Sequence, residues 1–190
     1  EAPNIAAEVV AFSEDTLKLI PFSDTVGISR DSRIRLVNRR IGLPVGDYLL
    51  GRVIDPLRRP LDAKPLVPPR FAANFFGRSV PALRRKPVSE PLDVGVRAIN
   101  GVLTLAKGQR VGLIAGSGVG KSTLLGMMTR HTQAEVVVLA LSGERGREAG
   151  EFLAESLGPE SLKKAVVILA TSDCASVMRR QAAEVAQLVA

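Results

Sequence analysis

The stretch that most constrains the fold is RVGLIAGSGVGKSTLLGMMTR, residues 110–130. Its apolar run over 110–114 predicts a buried strand, and Gly116, Gly118 and Gly120 then mark a tight loop. From Lys121 onward the apolar residues return at helical spacing, which predicts a helix. A strand, a glycine loop ending in Gly-Lys-Ser and a helix are the context of a phosphate-binding loop.

This loop predicts the binding of a nucleotide through its phosphates. Because glycine has no Cβ atom, backbone N–H groups can close around phosphate oxygens, and the helix N-terminus adds a favourable dipole. Lys121 would reach the β- and γ-phosphates, and the Ser122 hydroxyl would contact Mg²⁺. The strict pattern has glycine where this chain has the small residue Ala115. The predicted nucleotide-binding residues are Ala115, Gly116, Ser117, Gly118, Val119, Gly120, Lys121, Ser122 and Thr123.

Composition excludes several other classes of protein. A hydrophobic content of 46% with 24% charged residues is typical of a soluble globular protein. No apolar run approaches the ~20 residues that a membrane-spanning helix needs. The single cysteine, Cys174, excludes an internal disulfide framework, and with only one histidine, His131, the sequence offers no zinc site.

The net charge of +7 is concentrated in two stretches. Residues 58–86 contain eight basic residues and one acidic residue, and a second basic cluster lies within 30–40. Patches of this kind can bind nucleic acid, anionic lipid or an acidic protein surface. Aromatic residues for base stacking are few, so we expect solvated or subunit-contacting charge rather than a nucleic-acid site.

Three regions differ in character along the chain. Residues 1–67 contain the short β-rich runs AAEVVAF, TLKLIPF, RIRLVN and YLLGRVI separated by turns, which predicts a small β-barrel whose Phe12 and Phe22 fill the interior. Residues 68–92 are rich in proline and basic residues and are predicted to form a linker.

Residues 93–190 alternate apolar strands with helices. Strands are predicted at 135–141 and 165–170, a helix is predicted to end at Gly158-Pro159, and a last helix is predicted to be capped by Ser172 or Asp173. Buried strands alternating with helices indicate a parallel sheet covered on both faces. In such a sheet the ligand lies at the carboxyl ends of the strands.

A second candidate constellation is GERGRE, residues 143–148, directly after a predicted strand. ATP hydrolysis needs a group that orients and polarises the attacking water, and the Glu144 carboxylate can do this. The Arg145 guanidinium matches the geometry of phosphate. Taken alone, this stretch is also compatible with an ordinary charged turn. Beside the phosphate-binding loop, it predicts the catalytic set Glu144, Lys121 and Arg145.

The chain as a whole resembles the ATPase of bacterial type III secretion systems and its flagellar-export counterpart, which are relatives of the catalytic β subunit of rotary ATP synthases. The matching stretches are LPVGDYLLGRVIDPLRRPLD (43–62), RKPVSEPLDVGVRAINGVLTLAKGQRVGLIAGSGVGKSTLLGMM (85–128), GERGRE (143–148) and ATSD (170–173). The resemblance implies an α/β protein in which a partial N-terminal β-barrel is followed by the first part of a RecA-like P-loop NTPase domain with a parallel sheet.

The resemblance also implies ATP and Mg²⁺ as cofactors, with Glu144 as the catalytic base, Ser122 on the metal, and Glu148 in the metal's outer shell. It implies a homohexamer that energises protein export. The implied partners are stator, stalk and export-gate proteins, chaperone–substrate complexes and an anionic membrane surface. The implied location is the cytoplasm, peripherally at the inner membrane. The family's Walker-B aspartate, arginine finger and adenine pocket are not among these residues, so the 190 residues alone are expected to be inactive.

Two alternatives stay open from the sequence. One is a Rho-type RNA-dependent ATPase or helicase, which also has a barrel before a RecA-like core; its barrel should carry base-stacking aromatics, whereas Tyr48 is the only tyrosine here and tryptophan is absent. The other is a truncated or non-hydrolysing nucleotide-binding module. The candidate catalytic residue Glu144 argues against a non-catalytic role.

Overall fold

A computed structural model describes residues 4–37, 45–65, 81–116 and 118–190, and the backbone alone of 42–43 and 73–74. Near the N-terminus, β1 (Ala7–Ser13) and β2 (Thr16–Pro21) form an antiparallel hairpin around the predicted turn at 14–15. A second antiparallel pair consists of β3 (Gly42–Leu43) and β5 (Ala73–Asn74). Among the described residues, no helix is both long and apolar enough to span a bilayer.

The body of the structure is a parallel sheet of three strands. These are β4 (Arg52–Ile54), β6 (Val137–Ser142) and β7 (Ala165–Ala170), in the order β4-β7-β6. The central strand β7 pairs with both neighbours, so that Val167 lies opposite Val53 on one side and Leu139 on the other. The predicted α/β class, with an antiparallel N-terminal part and a parallel sheet, is confirmed.

Helices cover both faces of this sheet, because the alternating side chains of β7 are apolar on both sides. On one face, α4 (Ser176–Val189) packs with Ile54, Val166 and Ile168. On the other face, α1 (Lys121–His131) and the helical segment Phe152–Leu157 pack around Val167 through the residues Val53, Leu125, Leu139, Leu141, Phe152 and Leu157.

Two predictions for the N-terminal strands are wrong. The end of YLLGRVI was assigned to the barrel, but Arg52–Ile54 pairs with β7, where Val53 and Ile54 are buried against opposite faces of the parallel sheet. In RIRLVN, residues 33–37 have no regular secondary structure, and residue 38 lies outside the description. The rest of the division into 1–67, 68–92 and 93–190 stays a prediction.

Phe12 was expected to fill the barrel, but its side chain is 82% exposed on β1. Three other apolar side chains of this hairpin, Val9, Val10 and Leu17, are also exposed, whereas Leu19 is half-buried. Phe22 is half-buried.

The predicted strand at 110–114 is also not formed among the described residues. Val111 is 58% exposed and Ile114 is 97% exposed, and no strand of the described sheets pairs with this segment. An apolar run becomes a buried strand only between hydrogen-bonded neighbours and covering helices. No strand of the described sheets supplies these hydrogen bonds to 110–114, so the apolar character of the run did not suffice.

The helices after β6 begin at other residues than predicted. Residues 142–148 were predicted to form a loop, but the helix α2 (Gly146–Glu151) begins inside this stretch and is followed by the helical segment Phe152–Leu157. The helical segment that follows α2 ends at Leu157, as predicted, because Gly158 has a φ of +73°, outside the helical region. The short α3 (Gly158–Leu162) follows, with Pro159 in its first turn, where proline suits a helix. The last helix begins later than predicted, after Ala175, and no side chain caps it.

A buried ion pair anchors β4, and its removal should cost stability. The Arg52 guanidinium donates to both Asp62 carboxylate oxygens at 2.7 and 3.0 Å, and the two side chains are only 10% and 12% exposed. This hydrogen bonding holds the pKa of the Asp62 carboxyl well below its usual range. Replacing Asp62 with alanine leaves a buried cation unpaired, which should lower the free energy of unfolding by about 3–5 kcal/mol at pH 7.

Because the carboxyl pKa is lowered by folding, the contribution is complete above the ordinary aspartate value of about 3.9 and declines as pH falls below it. Denaturant unfolding from pH 7 to pH 3 should therefore show wild type approaching Asp62→Ala in acid. Glu90, in the exposed pair with Lys107, gives the matched control, and Glu90→Gln should change stability little. Equal losses in both variants would contradict a special role for the buried pair.

Candidate functional site

Backbone geometry explains two of the loop glycines. Gly118 and Gly120 have φ values of +76° and +94°, in the left-handed region that side chains disfavour. A Cβ atom at either position would meet nothing within 4 Å, so the backbone angle rather than space requires glycine. Gly120 directly precedes α1, whose first turn carries Lys121, Ser122 and Thr123. The first N–H groups of a helix lack partners within it and are therefore available to an anion.

A cavity of about 210 Å³ joins the start of α1 to the loop after β6. Lys121 and Ser122 line it from the helix, and Glu144 and Glu148 line it from the loop and the first turn of α2. Its remaining walls are apolar and consist of Leu113, Leu125, Leu141 and Phe152. Binding sites for whole cofactors usually measure about 300–1,000 Å³, so the cavity matches the phosphate end of a nucleotide rather than the complete molecule.

The loops after β6 and β7 hold each other in place. The Ser172 backbone N–H donates to the Glu144 carbonyl at 2.9 Å, and the Gly143 N–H donates to the Ala170 carbonyl at 2.8 Å. The Ser142 hydroxyl donates to the backbone carbonyl of Arg179 in α4 at 2.8 Å. These contacts fix the backbone on either side of the Glu144 side chain. Sequence reasoning missed Ser142 as a contributor, because its partner lies 37 residues away.

Arg145 does not line the cavity in this structure. Its side chain is 82% exposed, and its Nη1 atom lies 3.7 Å from a Glu148 carboxylate oxygen. Of the two charged residues predicted to flank Glu144, the structure thus brings Glu148 to the cavity and leaves Arg145 at its outside edge. This ion pair links the Arg145 side chain to a residue that lines the cavity.

The other predicted nucleotide-binding residues that the structure describes do not line the cavity. Val119 is exposed, as are Ala115, Gly116 and Thr123, and Ser117 lies outside the described residues. In the loop after β7, hydrogen bonding from the Thr171 hydroxyl holds the pKa of the Asp173 carboxyl below its usual range.

The side chains at the cavity suit Mg²⁺ together with phosphates. Mg²⁺ prefers oxygen ligands and is commonly held by one or two carboxylates, water and the phosphates of its substrate. The Ser122 hydroxyl and the carboxylates of Glu144 and Glu148 are such oxygens, on one cavity with the Lys121 ammonium. Within the described residues, no group of three or more His, Cys, Asp or Glu side chains could hold a metal without a substrate.

Comparison with known proteins agrees with this arrangement. Residues 95–190 match the family model described as the ATP synthase alpha/beta family, nucleotide-binding domain. The flagellum-specific ATP synthase of Pseudomonas aeruginosa is 47% identical over 180 residues, which are 95% of this chain and 40% of that protein. The type 3 secretion system ATPase of Xanthomonas euvesicatoria is 43% identical, with 97% of this chain and 42% of that protein covered.

Solved structures show the same similarity. The assembled ATPase EscN from the type III secretion system of enteropathogenic E. coli matches with a TM-score of 0.90 and 41% identity, over 100% of this chain and 46% of that one. EscN in complex with its central stalk EscO matches with a TM-score of 0.88 and 42% identity, over 97% of this chain and 45% of that one. The chain therefore spans less than half the length of these relatives. The resemblance to the flagellar and type III secretion ATPases is confirmed.

Proposed function

Since the chain belongs to the ATP synthase alpha/beta family, we propose that the full-length protein is an ATP-hydrolysing motor of a type III secretion or flagellar export apparatus. The observation that carries the proposal is the cavity in which Lys121 and Ser122 meet Glu144 and Glu148. Phosphoryl transfer is catalysed almost entirely by positioning and by stabilising charge. A cation, a hydroxyl and two carboxylates around one small cavity are suited to both tasks.

Each group has a role in this proposal. The N–H groups at the start of α1 and the Lys121 ammonium bind the β- and γ-phosphates, and the buried walls formed by Leu141 and Phe152 strengthen these electrostatic contacts. The Ser122 hydroxyl contacts Mg²⁺, with Glu148 in its outer shell, and the ion when bound neutralises charge on the phosphates. Glu144 orients the attacking water and accepts its proton.

Arg145 would reach the γ-phosphate only after leaving its ion pair with Glu148. That pair is long and exposed, so breaking it costs little. We therefore assign Arg145 to the stabilisation of phosphate charge after nucleotide has bound, rather than to a preformed site.

The assembly and partners follow from the relatives rather than from this chain. EscN has been solved as an assembled ATPase and in complex with its central stalk EscO. These structures support our proposal that the full-length protein forms a homohexamer and binds a stalk protein. Stator and export-gate proteins, chaperone–substrate complexes and an anionic membrane surface are further proposed partners, with a cytoplasmic location at the inner membrane. The predicted inactivity of residues 1–190 alone belongs to the same proposal.

An assay of phosphate release by the full-length protein tests this function. With Mg²⁺ and ATP present, we expect turnover that does not depend on RNA. The exposed Phe12 on β1 makes an RNA arm informative, because aromatic side chains on a strand can stack with bases. Turnover that requires RNA would favour the Rho-type alternative, and nucleotide binding without turnover would favour the non-hydrolysing module.

A further inference from the structure

The end of α1 that points away from the cavity is held by a short segment that precedes the phosphate-binding loop. The carbonyl oxygen of Asp93 accepts the Gln133 backbone N–H at 3.0 Å and the Thr132 hydroxyl at 3.2 Å. Gly95 approaches the same end so closely that a Cβ atom there would lie 2.0 Å from the His131 Cβ. The segment 93–95 therefore fits against the last turn of α1 with little freedom.

The Asp93 carboxylate keeps this segment in shape. One of its oxygens accepts the Gly95 N–H at 2.7 Å and the Asn100 side-chain amide at 2.5 Å, and the other accepts the Gln133 side-chain amide at 3.4 Å. The Asn100 side-chain oxygen in turn accepts the Val94 N–H at 3.2 Å. Asp93 thus binds Thr132 and Gln133, the two residues that directly follow α1, with its main chain, and its side chain bonds Gln133 and organises its own turn.

The same segment belongs to a closed loop that leads into the phosphate-binding loop. The Leu92 N–H donates to the Leu105 carbonyl and the Lys107 N–H donates to the Glu90 carbonyl, each at 2.8 Å. Residues 90–107 are closed at their base by these bonds, and the chain then runs through 110–116 into Gly118 and Gly120. The closed loop 90–107 is therefore connected both to the start of the phosphate-binding loop, through the chain, and to the far end of α1, through segment 93–95.

A third contact ties this end of α1 to the sheet. The Lys164 ammonium donates to the Thr132 carbonyl at 3.1 Å, and β7 begins at the next residue, Ala165. Near its middle, α1 lies so close to the segment Phe152–Leu157 that a Cβ atom on Gly126 would be 2.9 Å from the Ser156 carbonyl oxygen. The helix is thus supported at its middle and at its far end.

These supports matter because α1 behaves as a short rigid rod. Its 11 residues span about 16 Å, so a tilt of about 4° at the far end displaces the other end by about 1 Å. Misplacement of catalytic groups by about 1 Å can cost about 10²-fold in rate. The groups that would move are Lys121 and Ser122, relative to Glu144 on the neighbouring loop.

We propose that Asp93 is a positioning residue for the phosphate-binding loop: it fixes the far end of α1 and thereby sets Lys121 and Ser122 against Glu144. This inference rests on the ATPase function proposed above. Asp93 does not line the cavity, so it acts through the helix and not on the nucleotide itself.

The test compares variants of the full-length protein well below the unfolding temperature. Asp93→Ala should lower kcat/KM for ATP about tenfold. A hydrogen bond to a charged group contributes a free energy that corresponds to about this factor. Asp93→Asn should recover most of this loss, because its amide oxygen can still accept the Gly95 N–H. Hydrogen exchange should accelerate at the first turn of α1 in Asp93→Ala and stay near wild type in Asp93→Asn.

Asp24 provides a matched control, because its carboxylate accepts the Val26 N–H in a similar two-residue turn without an observed bond to α1. Asp24→Ala should keep wild-type kcat/KM. If Asp93→Ala also keeps wild-type kcat/KM, or if Asp24→Ala loses as much, the positioning role is wrong. Lys121→Ala distinguishes failure of the positioning role from failure of the proposed ATPase site. If Lys121→Ala is inactive and Asp93→Ala is fully active, only the positioning role is refuted. If Lys121→Ala is active, the proposed ATPase site itself is refuted.

Discussion

Replacing Lys121 with alanine should reduce ATP turnover of the full-length protein by about 10²–10³-fold or more, the scale of removing one preorganised donor to developing charge. Lys121 stands at the start of α1 and lines the cavity with Ser122, Glu144 and Glu148. Of the residues that line this cavity, Lys121 alone carries a positively charged side chain. Loss of the ammonium therefore removes a charge-assisted contact to phosphate that no other lining residue can replace.

Nucleotide affinity and steady-state turnover of Lys121→Ala should both fall. Lys163, which is exposed and pairs with Glu160, offers a matched lysine away from the cavity, and Lys163→Ala should leave both quantities unchanged. Lys121→Ala with wild-type turnover would show that the loop at 115–122 does not bind the reacting phosphates.

The sequence predicted the elements whose partners lie within the described chain. Residues 165–170 were predicted as a buried strand, and β7 has these bounds because β4 and β6 pair with it and helices cover both faces. Residues 110–114 are similarly apolar, yet they form no strand among the described residues. The apolar character of a run indicates that its side chains prefer burial, but only neighbouring strands and helices can bury them.

The site could be predicted only in part for a similar reason. Local chemistry identified Lys121, Ser122 and Glu144, since glycine spacing and residue type carry that signal, whereas Glu148 was implied only by the family resemblance. The contacts that hold the loops are tertiary: Ser142 to Arg179, and Ser172 to Glu144. A sequence pattern has no signal for which carbonyl a hydroxyl will meet. The same limit applies to Arg145, whose residue type suggested phosphate contact but whose side chain lies outside the cavity.

Replacing Glu144 with glutamine should separate binding from hydrolysis. The amide keeps the size of the side chain, and the bond from Ser172 goes to the Glu144 main chain, so the loop should keep its position. An amide cannot accept the proton of the attacking water, so turnover should fall by about 10²-fold or more. Affinity for Mg²⁺–ATP should stay near wild type, because Lys121 and Ser122 retain their contacts.

Equilibrium binding of a fluorescent ATP analogue and phosphate release, measured on the same preparation, decide this prediction. Glu151 is the control: it lies on α2, is exposed and pairs with Arg147, so Glu151→Gln should keep both binding and turnover. If Glu144→Gln retains wild-type turnover, the catalytic base lies elsewhere and Glu144 only shapes the loop. If it loses binding and turnover together, the carboxylate supports the nucleotide complex rather than the water. Only tight binding with lost turnover agrees with a general base, because that role alone is confined to the transition state.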